Sequence, residues 1–283
     1  MILRYTITEE GYRLKRYLAL KGIPDNIFKE IRRGNGQFIV NDQTVDNHYL
    51  LKPGDKLELV LPATTEGENI VSVMHDFEIL YEDSYLLIIN KEPNLACIPT
   101  KEHFTSSLAN YVLSYYKRTG ILANIHFVNR LDAPTSGIVI LAKNGYMVHL
   151  MQETEVLKQY ILETKGIVEP SEGTIELGIL KDPDSVIKRY TTTDFINSKT
   201  IYKTLYNKDG NSFIEATLCT GKTHQLRLHF LSKGHPIIGD ILYGDETPDG
   251  ILHLHSYHLE FIHPVTKEKI SLTTYPSWYE KQD

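Results

Sequence analysis

Apolar residues fall at helix spacing twice near the start of the chain, first Leu14, Tyr17 and Leu18, then Ile27, Phe28 and Ile31. Gly22-Ile23-Pro24-Asp25 separates the two sets, so the pattern predicts two short helices rather than one. The period then changes. Phe38-Ile39-Val40 precedes the turn Asn41-Asp42, and Pro53-Gly54-Asp55 leads into Leu57, Leu59 and Leu61, whose alternation predicts a half-buried strand. Residues 1–62 therefore read as a small α/β module of two helices and a sheet. Thr64-Thr65-Glu66-Gly67-Glu68-Asn69 is polar, which places a linker at 63–76 and a second domain at 77–283.

In the second domain Leu86 to Ile89 reads as a buried strand. Leu108, Tyr111, Val112 and Tyr115 recur at helical positions, with Ser106 available as cap and Gly120 as terminator. Further strands are expected at 138–142, 159–168, 200–206, 212–219 and 252–262, and helices after Asn144 and after Thr223. Strands and short helices do not alternate regularly. That favours an α+β domain with a mixed, largely antiparallel central sheet and flanking helices.

Composition narrows the class: 283 residues, 41% of them apolar and 23% charged, exclude a disordered, collagenous or disulfide-built chain. A net charge of -6 excludes a uniformly basic coat for nucleic acid. Residues 13–33 nevertheless carry seven basic side chains against two acidic ones, a local net of +5. Arg13, Lys15, Arg16, Lys29, Arg32 and Arg33 would lie on the outer faces of the two helices, as candidate polyanion contacts. Cys97 and Cys219 sit in apolar contexts and read as buried free thiols. The first residues lack a basic-then-apolar leader and no apolar run reaches 18 residues, so a soluble, cytoplasmic protein with no membrane partner is expected.

Chemistry concentrates in two strings. Asn129-Arg130-Leu131-Asp132-Ala133-Pro134-Thr135-Ser136-Gly137 stands just before an apolar strand, a placement that can present Asp132 from a rigid support, although a plain turn would look the same. In Thr220-Gly221-Lys222-Thr223-His224-Gln225-Leu226-Arg227, Thr223 is a good N-cap and Arg227 falls in the first helical turn. A cation is disfavoured there, which suggests a carboxylate or phosphate partner; a surface arginine is the bland alternative. Lys158 and Tyr160 share one face of a strand, as any cross-strand pair would. Seven of the 12 histidines fall between His224 and His263, but without the spacing of common zinc sites, and no phosphate loop, dinucleotide fingerprint or nucleophile elbow occurs. No metal and no cofactor are expected.

Taken together, the chain resembles the RluA-type family of RNA pseudouridine synthases along nearly its whole length. Tyr81-Glu82-Asp83 with Leu86 to Lys91 looks like the family's first strand pair, and Arg130-Leu131-Asp132 with Thr135-Ser136-Gly137 looks like its catalytic signature. Lys158-Gln159-Tyr160 resembles its Lys-x-Tyr motif. Gly221 to Arg227, Gly234 to Asp240 and Tyr243-Gly244 resemble its third block. The basic N-terminal module is similar to the alpha-L RNA-binding domain, departing from it where Asp25-Asn26 replaces the usual Ser-Arg. Asn129 stands where the family usually has histidine, and Pro93 falls one place late.

The resemblance implies the pseudouridine synthase fold and an isomerase: uracil leaves ribose at nitrogen 1, rotates while bound and rejoins through carbon 5. It assigns Asp132 to the anomeric carbon, as nucleophile or as the base opening an elimination route, and pairs it with Arg227. Tyr160 would stack on the uracil and take part in its deprotonation, Leu226 would wall the pocket, and Arg130 would fill the gap left by the flipped nucleotide. Lys158, Thr135, His224 and Gln225 complete the implied substrate contacts. The implied partner is structured RNA, ribosomal RNA of the large subunit first and transfer RNA second, bound by a monomer along a positive groove from residues 13–33 to Lys188, Arg189, Lys222 and Arg227. Two other readings use the same residues: an RNA-binding assembly factor without turnover, and a hydrolase pairing Asp132 with Glu82 or Asp240.

Overall fold

The computed structural model describes residues 2–9, 11–61, 70–101, 103–244, 247 and 249–281. Near the N-terminus β1 (Ile2–Thr6), β2 (Gln37–Val40), β3 (Gln43–Val45) and β4 (Lys56–Val60) form an antiparallel sheet in the order β1-β4-β2-β3. Helices α1 (Leu14–Leu20) and α2 (Asp25–Glu30) pack on it, and a π turn, Ile31–Asn35, continues α2. The residues chosen by periodicity close its core: Leu14, Tyr17, Leu18, Ile27, Phe28, Ile31, Leu57, Leu59 and Leu61 are all buried. Half of the expected linker, residues 63–69, lies outside the described residues.

Among the described residues the larger sheet has eleven strands. β5 (Glu78–Glu82), β6 (Leu86–Lys91), β7 (His126–Phe127), β8 (Ser136–Ala142), β9 (Val156–Lys165), β10 (Glu172–Lys181), β11 (Arg189–Thr192), β12 (Ser198–Lys208), β13 (Asn211–Leu218) and β14 (Leu254–Ile262) are joined by β15 (Lys269–Thr273). The main path runs β11-β10-β12-β13-β9-β14-β8-β6-β5, with β15 on β14 and β7 on β8. Every pairing is antiparallel except β14 with β8. The expected mixed, largely antiparallel sheet is therefore present. Among the described residues three helices flank it, α3 (Leu108–Thr119), α4 (Gly145–Gln152) and α5 (Gln225–Ser232).

Several expectations are corrected at their edges. The residue ahead of α3 is Ser107, not Ser106, because Asn110 Oδ1 accepts the Ser107 amide at 2.9 Å and closes a capping box. The side chains α3 buries are led by Leu108, Val112, Leu113 and Tyr116, with Tyr111 and Tyr115 only half-buried beside them. Left-handed His224, not Thr223, precedes α5. Cys97 is buried, but Cys219 is exposed, because β13 ends at Leu218 and the chain leaves the sheet there. Strands β1, β3, β7, β10, β11 and β15 are not among the expected ones. Outer strands expose much of both faces and carry a weaker alternating signal.

The two sheets meet at α4. Tyr146 on its first turn is buried in the core of the N-terminal sheet and accepts a hydrogen bond from Tyr5, and Leu150 one turn later packs against the same core.

Candidate active site

Strand β8 is buried at all seven positions, so its start is a fixed platform for the segment before it. Gly137 has φ +109°, and a Cβ there would overlap the Ser256 carbonyl of β14, so this approach of β8 to β14 needs glycine. Asn129 clamps the other end, its Oδ1 accepting the Ile140 amide at 2.7 Å. Between these anchors the carbonyls on either side of Asp132 are held from behind: Cys97 Sγ donates to the Leu131 carbonyl at 3.3 Å, and Lys91 Nζ donates to the Ala133 carbonyl at 3.0 Å. Lys91 is fully buried and also donates to the Glu92 and Leu95 carbonyls, both at 2.8 Å. Burial pushes its pKa down to about 8.

The structure brings four of the expected residues together. The Asp132 side chain keeps 29% of its surface exposed, with Arg227 Nη1 at 3.7 Å and His224 Nε2 at 3.8 Å from its Oδ2. Tyr160 lies close enough to feel the Asp132 charge. It is buried, hydrogen-bonded to Ser256, and its pKa is pushed up to about 12, chiefly by burial, so its hydroxyl keeps its proton at neutral pH. Burial pushes the His224 pKa down against the opposing Asp132 charge, which makes it a neutral neighbour.

Arg227 has its main partner elsewhere. Its Nε and Nη2 grip Asp240 at 2.8 and 2.6 Å, and both side chains are buried. Burial works to lower the Arg227 pKa, but Asp240 overrides it and holds the guanidinium above its ordinary value. The carboxylate that an arginine in a first helical turn calls for is thus Asp240 in contact, with Asp132 one step further out. Asp240 is fixed in turn by the amides of Leu242 and Tyr243, both at 3.1 Å.

Tyr243 links these parts, and residue patterns alone gave it no role. Its ring lies under the Arg227 guanidinium at 5.0 Å, and its hydroxyl bonds His224 Nδ1 at 2.7 Å and accepts the Arg189 amide at 2.8 Å. The pairing of Asp240 and Tyr243 with Arg227 crosses a turn with no periodicity, so only their place in the third block hinted at it.

The remaining candidates divide. Leu226 is buried in the same core as Tyr160, and the Thr135 amide donates to the Asp132 carbonyl at 3.1 Å while its hydroxyl is buried with no hydrogen-bond partner among the described residues. Lys158 is half-buried, which lowers its pKa, and it has no acidic partner among the described residues. Arg130 is exposed and lines a surface cleft with His126, Val128 and Val148 of α4. Gln225 is spent on the frame: its Oε1 accepts from Thr220 and the Lys222 amide, and its Nε2 donates to the Lys199 carbonyl and Thr200.

Neither second acid of a hydrolase is free. Glu82 is held by Lys143 at 2.7 Å and Tyr115 at 2.6 Å, and Asp240 is neutralised by Arg227. The histidines scatter among separate partners, and among the described residues no group of three or more His, Cys, Asp or Glu is arranged to hold a metal ion.

In the N-terminal sheet all six expected RNA contacts are exposed. Lys15 and Lys29 both pair with Asp25, at 3.3 and 2.8 Å, whereas Arg13, Arg16, Arg32 and Arg33 have no acidic partner among the described residues.

A family model described as RNA pseudouridylate synthase matches residues 85–232. An uncharacterized RNA pseudouridine synthase of Bacillus subtilis is 37% identical over 263 residues, which cover 91% of this chain and 93% of the relative. The ribosomal large subunit pseudouridine synthase C of Buchnera aphidicola is 30% identical, covering 89% of this chain and 86% of its own length. Human RNA pseudouridylate synthase domain containing 4 superposes with a TM-score of 0.57 at 25% identity, covering 71% of this chain and 89% of that one.

Proposed function

Because the chain belongs to the RNA pseudouridylate synthase family and is an isomerase of uridine in RNA, we propose that it modifies specific unpaired uridines of large-subunit ribosomal RNA through Asp132. The observation that carries this is the setting of Asp132: a part-exposed carboxylate on a rigid loop, with a buried, charge-fixed guanidinium 3.7 Å away and the buried phenol of Tyr160 on β9, two strands from β8. Such a carboxylate can act at the anomeric carbon as it develops positive charge, with the Arg227 guanidinium 3.7 Å from it. The bond from C1′ to nitrogen 1 breaks, the base turns within the pocket, and the bond from C1′ to carbon 5 forms. The carbon 5 proton is then lost and nitrogen 1 gains one, so no outside reactant is consumed. Tyr160 stacks on the base and Leu226 walls it.

Arg130, exposed one residue before the buried Leu131, fills the space of the flipped nucleotide. The N-terminal sheet acts as an RNA-binding module, and Arg13, Arg16, Arg32 and Arg33 are its contacts to phosphate. Helix α4 supports a continuous path, since Tyr146 holds the module while Val148 lines the cleft at Arg130. The protein works as a monomer, a reading supported by Asp132, Tyr160 and Arg227 coming from one chain.

The test incubates purified protein with total RNA from a strain lacking the gene and maps pseudouridine at single-nucleotide resolution. New sites in large-subunit RNA with the wild type, and a loss of at least about a thousandfold in rate with Asp132→Asn, are expected. Sites confined to transfer RNA would reassign the substrate. No site in any RNA, assembly intermediates included, would leave an assembly factor without turnover.

A further inference from the structure

Tyr243 is set in place by the backbone around it. Gly239 has φ +76°, and a Cβ there would overlap the Ile251 carbonyl, so the chain needs glycine to turn at this point. Asp240 then accepts the Leu242 and Tyr243 amides, both at 3.1 Å. The Tyr243 ring lies 5.0 Å from the Arg227 guanidinium, and its hydroxyl ends between two partners, the Arg189 amide of β11 at 2.8 Å and His224 Nδ1 at 2.7 Å. His224 is fixed from its own side: its backbone is left-handed at φ +59°, its carbonyl accepts the Leu228 amide at 3.0 Å, and its side chain is buried.

The hydrogens of this chain have one arrangement that satisfies every group. An amide can only donate, so the Tyr243 oxygen accepts from Arg189. The phenol keeps its own proton, because burial raises its pKa, and among the described residues His224 Nδ1 is the acceptor it meets. His224 is neutral, since burial together with the Arg227 and Arg189 charges outweighs Asp132 and Asp240 and lowers its pKa. Nδ1 therefore accepts, and the ring proton sits on Nε2. The other end of the ring agrees with this. Nε2 lies 3.8 Å from Asp132 Oδ2, where a lone pair would face a carboxylate and an N–H is attracted to it.

Arg227 Nη1 approaches the same oxygen, at 3.7 Å, while Oδ1 has no hydrogen bond or ion pair among the described residues. The two oxygens of Asp132 are thus made unequal by their neighbours. Catalytic hydrogen bonds are often this long until substrate draws the groups together. We propose that Tyr243 and His224 are positioning residues of the isomerase: the phenol holds His224 as the Nε2–H tautomer, and that N–H, with Arg227, anchors Asp132 by Oδ2 so that Oδ1 is the oxygen presented to C1′ of the uridine. This rests on the reading of Asp132 as the carboxylate at the anomeric carbon. A carboxylate held by one oxygen meets C1′ already oriented, which a freely turning one does not. The turn 240–243 then serves both anchors, Asp240 fixing Arg227 and Tyr243 fixing His224.

The test joins spectroscopy to kinetics on the full chain. In nitrogen NMR at neutral pH, with the His224 signals assigned by their absence in His224→Gln, the wild-type ring should carry one proton, on Nε2. Tyr243→Phe keeps the ring under Arg227 but removes the hydroxyl, and both tautomers should then appear. On a transcript spanning the mapped uridine, Tyr243→Phe should lower kcat about ten- to hundredfold, the worth of a hydrogen bond to a charged group, with KM within about twofold of wild type. Gln puts an amide N–H where Nε2 stands and Asn puts one where Nδ1 stands. His224→Gln should therefore exceed His224→Asn in kcat by at least about tenfold, although asparagine suits the left-handed backbone better. A proton on Nδ1 of the wild-type ring, an unchanged kcat in Tyr243→Phe, or an Asn variant as active as the Gln variant would overturn the proposal. Should a variant fail to fold, the wild-type spectrum decides alone. An active Asp132→Asn would instead overturn the role of Asp132, whereas an inactive one beside a fully active Tyr243→Phe would sink only the part given to Tyr243 and His224.

Discussion

Around β1–β4 opposite charges meet in water, as in Arg4 with Glu58 and in Lys15 and Lys29 with Asp25, and the buried charged side chain described there is Asp55, which ties a turn together. Around β8, β9 and α5 the larger sheet instead buries Lys91, Arg227, Asp240, His229 and His255. The first region keeps its cations solvated, where each can meet a phosphate at little cost. The second takes charge out of water, where a misplaced group is expensive but a placed one acts strongly. A surface that grips a polyanion and a site that manages one carboxylate therefore call for opposite treatment of the same residue types.

The sharpest way to break this contrast is Asp240→Ala. It strands a buried guanidinium, and urea unfolding should show a loss of about 3–5 kcal/mol, with activity falling too because Arg227 no longer keeps its place beside Asp132. A milder test is acid. Burial pushes His229 and His255 each to about 4, below the ordinary value near 6.5. The unfolded chain takes up protons that the folded chain refuses, so stability present above pH 6.5 declines as pH falls toward 4, by up to about 3 kcal/mol per histidine. The region of β1–β4 buries no histidine among its described residues, so hydrogen exchange at low pH should open the larger sheet first.

Smaller effects sharpen the other half of the comparison. Arg32→Ala with Arg33→Ala should weaken RNA binding alike across sequences and reduce the salt dependence of the binding constant by up to about two in logarithmic slope. Lys15→Ala should do less, since Asp25 already neutralises that ammonium. Arg4→Ala removes a solvent-exposed pair and should change unfolding stability by less than about 1 kcal/mol.

Local pattern carried a large part of this molecule. The apolar residues of α1, α2 and β4 were legible because burial on one side of an element repeats at that element's own period, and β8 because a strand covered on both faces is apolar throughout. The strings around Asp132, Tyr160 and Arg227 marked the candidate site, and folding brings these three side chains close together, since a few side chains in a fixed order are a local property of the chain. Outer strands β10 and β11 and the true cap of α3 escaped, because exposure weakens alternation and two adjacent serines look alike until Asn110 chooses one.

Other features were decided by tertiary structure alone. Arg227 turns to Asp240, Tyr243 joins His224 to Arg189, and Tyr146 fastens one sheet to the other, all through segments that no period connects. A cavity at His255 is assembled from β6, β8, β14 and the C-terminal segment Tyr275–Trp278, four stretches brought together only by folding. Sequence set which residues would be buried and which acids and bases were available, because hydrophobic periodicity and residue chemistry are written locally. Which charge neutralises which was left to the fold, because burial and distance set the strength of an ion pair and neither exists before the strands have paired.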